Sequence, residues 1–503
     1  MTTLKIPPRN EKAIKALFED LKPALGSSLS RTLVERISTS GDSTGTPFYH
    51  FRWKLHNLTD FVAYPETEEQ VKQILLLANK YKVDVTPRGS GSDYYGSGIP
   101  TNGGVVVDMK RMKSFRINKE EMTVTAQPGL VFSNLMAELA LQGLELGCYP
   151  TSAYTTTIGG WIGTGGTMGV GTLQNGTFMD QIVSLKLITP TGEEKIITNM
   201  KESAYLFGTS GIFGIVVEVT IKLLSVPKNE IALNFGFNNR DELLQCVEEL
   251  VKSTDPFLIR FADVGHEFRS TGFSKYRFFL FLFLKERGSP IDELTKDCTA
   301  IIEKHHGTYI GDLYSKQVWE DYLKHEMRIK LNNPVLMLQQ IYTDLGRVPP
   351  LIDLFELLIK KAKLNHAYYG IISKDMKVRL VFYTPTDNCN WLHFISSKAT
   401  LHKVVKFAYH NGGRVYTYGL QDTLYLHHFE QQKEKELEAK KKSEDPNYIL
   451  NQLKLVKTKM SFLRIDVMFE LAYFYRLLMI WIGKADIILT PDIPEPYGDD
   501  KLE

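Results

Sequence analysis

A chain of 503 residues is too long to close around one hydrophobic core, so two or three domains are expected. Its composition, 43% apolar and 23% charged, is that of a globular protein, and a formal net charge of +2 gives no electrostatic footprint for nucleic acid or a strongly acidic partner. Four scattered cysteines, Cys148, Cys246, Cys298 and Cys389, without C-x-x-C spacing argue against a disulfide framework or a structural zinc, and for a reducing interior.

Met1–Asn10 lacks the apolar centre of a signal peptide, and no uncharged apolar run of about 18 residues occurs, so the chain reads as cytoplasmic. Residues 10–25 pattern as an amphipathic lead-in helix, and 38–47 as a loop. Thr67 is placed to cap a helix whose apolar positions Val71, Ile74, Leu75 and Ala78 recur at helical period. Val83–Val85 reads as a short strand and Val105–Asp108 as a buried one. Thr123–Ala126 is a further strand, and Leu130–Gly143 a helix. Ile182–Thr189 and Lys195–Thr198 form an expected hairpin, followed by a strand over Ile212–Leu224. Beyond residue 230 the chain turns to longer helices and β-rich runs. Arg277–Leu284, Ala367–Ile372 and Lys377–Tyr383 are strands, the last two pairing across a turn at Ser373–Asp375. Gln431–Lys442 reads as a solvated helix, and Val467–Gly483 as a buried one rather than a membrane-surface element.

Three glycine-rich stretches stand out. The first is Pro87-Arg88-Gly89-Ser90-Gly91-Ser92-Asp93, after a strand, whose bare amides can curl around a pyrophosphate. The second runs from Thr157 through Gly159, Gly160, Gly163 and Gly166. That glycine density suits neither helix nor strand and suggests backbone wrapped closely around a ligand. The third, Gly208 to Val216, puts Gly211 and Gly214 at the mouth of a strand. A G-x-G-x-x-G fingerprint opening a helix is absent, so a nicotinamide Rossmann site is not supported.

These loops, with Tyr64–Val71, Pro100–Asp108 and Gly211–Ile215, resemble the PCMH-type FAD domain of the vanillyl-alcohol-oxidase superfamily, nearest the D-lactate dehydrogenase and glycolate oxidase flavoproteins. Ala485–Pro491 resembles that family's closing D-P-x-x-I-L-N-P. The resemblance implies an α+β fold: a lead-in (1–55), a two-subdomain FAD domain (56–227), an α+β cap with an antiparallel sheet (228–450), and a segment returning to the FAD side (451–503). It implies that the amides of Arg88 to Ser92, flanked by Pro87 and Asp93, hold the pyrophosphate. Pro150, Thr151, Thr157, Gly160, Gly163 and Thr164 would lie along the ribityl chain and ring, and Gly214 and Ile215 at the adenine.

Two departures from the family pattern carry weight. Covalent relatives carry a histidine where this chain has Ser92, and Cys148 reads as a packed small hydrophobe, so the FAD is expected to be non-covalent. The metal-binding H-x-G-D-G-N-x-H and G-E-H-G patterns correspond here to Tyr368–Lys374 and Gly412–Gly419, which lack their ligands. His366, His410, His427 and His428 show no ligand spacing, so no metal is expected. The substrate groups then fall to Arg414, Tyr416 and Tyr418, which share a face if the stretch is a strand, and to Arg328 as a second anion clamp. The competing reading is an ordinary edge strand and a surface cation. The implied activity is FAD-dependent oxidation of a small 2-hydroxy acid or sugar acid, with a quinone, a protein or oxygen as electron acceptor. The alternatives are an alkyl-glycerone-phosphate-synthase-like transferase or a non-catalytic FAD subunit. Peripheral contact with the inner face of a membrane and a homo-oligomer both fit the resemblance.

Overall fold

The computed structural model describes residues 9–44, 57–272, 275–324, 328–329, 335–386, 390–456 and 462–483. Its contacts divide the chain into two compact units. The first takes the described residues up to Thr167, Phe178–Ser225 and Thr417–Phe462; the second takes Met168–Thr177, Val226–Tyr416 and the described residues from Leu463 onward.

The first unit opens with the helix Glu11–Leu25, capped by the Asn10 side chain and amphipathic as its sequence requires. It is no separate lead-in: Leu17 and Leu21 join one core with Val71, Ile74 and Leu75 of the helix Glu68–Tyr81. Thr67 caps that second helix by accepting from the Gln70 N–H. Beneath lie the parallel strands Phe61–Ala63, Val105–Asp108 and Val85–Arg88, with Leu29–Ser30 at the far edge. The strand expected at 83–85 therefore starts at Val85 and runs through Pro87 and Arg88, because pairing with Val107 and Asp108 continues that far. A second, antiparallel sheet orders Phe115–Asn118, Thr123–Ala126, Ile215–Ser225, Ile182–Ile188 and Glu194–Ile197, the last two being the expected hairpin. Ser38 and Thr39 close a helix over Leu33–Thr39 rather than lying in the loop, whose residues 45–47 fall outside the described residues.

Segment 445–456 completes this unit. Val85 N–H donates to Ile449 O at 2.8 Å and Asn451 N–H to Val85 O at 2.7 Å, so the segment extends the parallel sheet beyond its Val85 edge. Lys441 holds it in place. Its ammonium, in a side chain 1% exposed, donates to Asp445 Oδ2 and Ile212 O at 2.6 Å and to Leu450 O at 2.7 Å. The Asp445 carboxylate also accepts from the Ile449 and Leu450 amides. The charged run 431–442 is thus a helix, Gln431–Glu444, but not wholly solvated: Leu437 and Lys441 are buried.

The second unit is built on an eight-stranded antiparallel sheet ordered Thr308–Tyr309, Glu230–Phe237, Phe278–Lys285, Leu258–Asp263, Ala367–Ile372, Lys377–Pro385, Leu336–Asp344, Arg414–Val415. Ala367–Ile372 and Lys377–Pro385 pair as expected, with Ser373 N–H closing the turn onto Lys377 O. Period-2 geometry explains the run Phe278–Lys285. Phe278, Leu280, Leu282 and Leu284 enter the main core, while Phe281 and Phe283 face the other way and stack on Tyr322 and Trp319. The α+β expectation holds.

The helix Phe462–Trp481 corrects one reading. Phe469, Tyr473, Arg476 and Met479 are buried, but Leu463, Leu471, Phe474 and Trp481 are 71%, 63%, 62% and 82% exposed, so it is buried on one face only. Among the described residues, no helix is long and apolar enough to cross a membrane. The 485–491 stretch matched to the closing motif lies outside the described residues.

Removing one partner of a buried ion pair leaves an uncompensated charge, so Lys441→Met should cost about 3–5 kcal/mol in urea unfolding. Exposed Lys442→Met should stay within about 0.5 kcal/mol of the parent in the same assay.

Candidate functional site

The three glycine stretches converge within the first unit. The Gly89 backbone lies so close to Thr157 that a Cβ there would sit 2.3 Å from Thr157 Oγ1. Gly91 has φ +72°, and a Cβ would sit 2.0 Å from Arg88 Nη2. The Arg88 side chain therefore folds beneath its own loop, donating to Gly41 O at 2.6 Å and Ser38 O at 3.3 Å. Its place is structural. Ser90 and Ser92 hydroxyls bond each other at 3.1 Å, and Asp93 accepts the Ser97 N–H at 2.8 Å, closing the loop.

The second stretch forms a short helix, Ile158–Thr164, which the sequence reading ruled out on glycine density. Thr157 caps it by accepting from Gly160 N–H, and Thr164 Oγ1 donates back to Gly160 O at 3.0 Å. The glycines are compatible with helix because what lies against them differs. Gly159 backs onto Pro128, where a Cβ would meet the ring at 2.6 Å, and a Cβ on Gly160 would meet Thr157 Oγ1 at 2.7 Å. Gly163 faces open space, its nearest neighbour for a Cβ being Gly211 N at 3.9 Å. Pro150 and Thr151 are buried just upstream.

The third stretch docks on that helix: Gly208 N–H donates to Ile162 O at 3.1 Å and Ser210 N–H to Gly163 O at 2.7 Å. Gly214 is packed against Ile188 O, and Ile215 pairs with Ile188 in the antiparallel ladder, its side chain in the core.

A fourth element was missed. Asn451 Nδ2 donates to Ser97 O at 3.1 Å and also reaches Ser210 O at 2.5 Å, joining the first loop to the third. Lys454, fully buried, donates to Ser97 O at 2.6 Å and to the Asn451 side chain. Burial drives its ammonium down to about 7, against the pull of Asp42 and Asp93. Asp42 is itself pushed up to about 8 by burial and by Asp93. The signal was present in the sequence: Asp445-Pro446-Asn447-Tyr448-Ile449-Leu450-Asn451 reproduces D-P-x-x-I-L-N better than the stretch chosen at 485–491.

An open face at Gly163, a run of small-residue amides and the buried, unpartnered Ser210 Oγ fit a flat, polyanionic cofactor. Comparison agrees, since residues 59–198 match the FAD binding domain family. This is an FAD-binding domain of the PCMH type. The chain is 29% identical over 241 residues to the mitochondrial D-lactate dehydrogenase [cytochrome] of Arabidopsis thaliana, covering 45% of this chain and 41% of that protein. It is 28% identical over 206 residues to glycolate oxidase subunit GlcD of Bacillus subtilis (strain 168), covering 39% and 43%. To alkyldihydroxyacetonephosphate synthase of Dictyostelium discoideum it is 29% identical over 221 residues, covering 42% and 36%. The match therefore spans less than half the length of each of these relatives. Among solved structures, p-cresol methylhydroxylase superposes with a TM-score of 0.78 at 14% identity, over 90% of this chain and 98% of that one. An alkyldihydroxyacetonephosphate synthase gives 0.71 at 20%, over 90% and 86%. Both likenesses show the fold.

The strand expected to align Arg414, Tyr416 and Tyr418 is short. The strand ends at Val415, so period-2 geometry does not carry from Arg414 to Tyr418. Arg414 is exposed over the Tyr342 ring at 5.1 Å. Tyr418 belongs to the FAD-binding unit, where its hydroxyl bonds Glu430 at 2.7 Å and Lys433 at 3.0 Å. Tyr416 remains in the second unit; its hydroxyl accepts from Met168 N–H at 2.8 Å. Beside its ring, 5.5 Å away, is the guanidinium of Arg379, buried and donating to Met168 O at 3.2 Å. Arg328 pairs with Asp321 at 2.7 Å and lines a cavity of about 180 Å³ with Tyr314 and Thr271. Of the histidines singled out, His366 lies 4.0 Å from Asp263 and His427 lies 2.6 Å from Glu434.

The open space at Gly163 yields a discriminating test. Ala is favoured over Gly in a helix by about 0.8–1 kcal/mol, so Gly163→Ala should melt no lower than the parent without cofactor. If FAD occupies that face, the same protein should purify with less bound flavin, read from the visible absorbance per chain.

Proposed function

We propose that the protein is an FAD-dependent oxidoreductase that oxidises a small 2-hydroxy acid or sugar acid at its hydroxyl-bearing carbon. The observation that carries this reading is the PCMH-type FAD domain, together with relatives named D-lactate dehydrogenase and glycolate oxidase subunit. When bound, FAD supplies the hydride acceptor. The chain must then hold the substrate carboxylate and hydroxyl and take up the hydroxyl proton. Tyr416 and Arg379 suit the first of those tasks, holding the substrate, better than Arg414 and Tyr418. The Tyr416 hydroxyl is held in place by accepting from Met168 N–H at 2.8 Å. Arg379 sets a buried cation beside it.

The pyrophosphate is assigned to the amides of Gly89 to Ser92, with Lys454 as the nearby cation. A non-covalent flavin follows from Ser92, which cannot form a histidyl bond, and from Cys148, which is fully buried. A second reading is an ether-forming transferase, favoured by the identity to the Dictyostelium discoideum synthase.

Anaerobic mixing with D-lactate, glycolate and sugar acids should bleach the flavin; a flavin that stays yellow with every hydroxy acid refutes the oxidoreductase reading. Tyr416→Phe should slow bleaching about tenfold or more while retaining FAD, whereas Arg414→Ala should stay within about twofold. Acid precipitation should leave all colour in the supernatant.

Lys454 adds a pH dependence whose sign is fixed. Its ammonium is depressed to about 7 in the ligand-free fold, and a pyrophosphate nearby would raise it again. Binding then takes up a proton above pH 7. FAD affinity should fall by up to about tenfold per pH unit above that point until the raised value is passed. Lys454→Met should weaken binding and flatten the profile, as fluorescence titration of released FAD would show.

A further inference from the structure

The helix Phe462–Trp481 is fixed to the second unit by one face. Tyr473 donates to Leu358 O at 3.2 Å, and the buried Arg476 donates to Ala362 O at 2.5 Å and Ser396 Oγ at 3.0 Å. At its margin Asp466 bonds His402 at 2.9 Å and Lys406 at 2.6 Å, and Glu470 pairs with Lys403. The carboxylates are thus neutralised from within the unit. The opposite face carries Leu463, Val467, Leu471, Phe474, Leu478 and Trp481, all exposed.

We propose that this face is the interface through which two copies of the chain pair. Three features of the stripe select a second copy. From Val467 the exposed positions advance by four, three, four and three residues, to Leu471, Phe474, Leu478 and Trp481. That is the seam of a helix packing along another helix. Together the six side chains present roughly 750 Å² of apolar surface, beyond the ~300–600 Å² usual for the largest patch on a monomer. It is close to the ~800 Å² per partner of a stable interface. Finally, the described helix carries few charges, with Arg464 exposed, Asp466 and Glu470 part-exposed and paired, and Arg476 buried, whereas helices that lie on a lipid surface carry a lysine- and arginine-rich polar face. A face meeting its own copy about a two-fold axis needs no complementary charge, only self-complementary packing.

Light scattering coupled to gel filtration of the full FAD-loaded chain should give twice the mass of one chain at micromolar concentration. Leu471→Glu and Phe474→Glu should each shift it to the mass of one chain while keeping the yellow colour and far-UV dichroism. Leu471→Cys, mid-stripe and near the symmetry axis for either helix direction, should form an oxidant-dependent chain-to-chain crosslink that the parent does not. A parent protein of single-chain mass overturns the proposal. So do charged variants that stay paired, or a Leu471→Cys protein that does not crosslink. Co-sedimentation of the parent with phosphatidylcholine vesicles, lost in the Leu471→Glu variant, would overturn it by identifying a lipid surface as the occupant. Pairing that appears only after removal of residues 484–503 would overturn it by identifying the chain's own end.

Discussion

The buried Lys441–Asp445 pair is the constraint on which the cofactor-binding unit depends. All three ammonium protons are used, on a carboxylate, on Ile212 O beside the third glycine stretch, and on Leu450 O in the segment that edges the parallel sheet. A buried ion pair gains little over a hydrophobic contact in net stability, because desolvation of both charges offsets their attraction. What this one supplies is a junction between three stretches far apart in sequence. With Asp445 also accepting the Ile449 and Leu450 amides, the chain is turned so that Asn451 and Lys454 reach the first loop.

Around that junction the glycines separate into two kinds. At Gly89, Gly91, Gly159 and Gly214 the protein itself occupies the space a side chain would need, so glycine there answers to packing. At Gly163 nothing of the protein does. The closely packed glycines bring Thr157, Arg88 and the third stretch to the backbone; the open one leaves a surface. Glycine density alone cannot tell these cases apart, which is why the sequence reading expected irregular backbone where a capped helical turn, Ile158–Thr164, forms.

Local patterns were legible where the determinants are local. Thr67 and Gln70 specify a helix start, Val105–Asp108 a buried strand and Ser373–Asp375 a turn, and each depends on residues a few positions apart. The FAD loops were legible for the same reason. What failed depends on distant partners. Lys441 in a charged run looks solvated until Asp445 and Ile212 are brought around it. Arg414, Tyr416 and Tyr418 share a face only if a strand continues, and it stops after Val415, having paired with Ile341 and Tyr342 alone. The closing motif was sought at 485–491, although the better match at Asp445–Asn451 lies inside the first unit.

The returning segment is also where the backbone stores strain. Tyr448, Asn451, Leu453 and Leu455 all have positive φ, at 52°, 47°, 58° and 59°, and Ser210 opposite has φ 54°. For bulky side chains such as leucine these are outlying conformations, costing of order 1–3 kcal/mol each, and they persist only where the surroundings over-determine them. Here the surroundings do so. Leu453 and Leu455 are buried, Leu455 N–H is held by Thr423 Oγ1 at 3.2 Å, and Asn451 and Lys454 are tied to Ser97 O. The alternating left-handed residues bend the chain tightly enough to set Lys454 Nζ and Asn451 Nδ2 on the same carbonyl. A relaxed extended segment would direct side chains three positions apart to opposite sides. The strain is therefore tied to the geometry that brings a second cation to the floor of the FAD loops, next to Arg88, in a pocket that also holds Asp42 and Asp93.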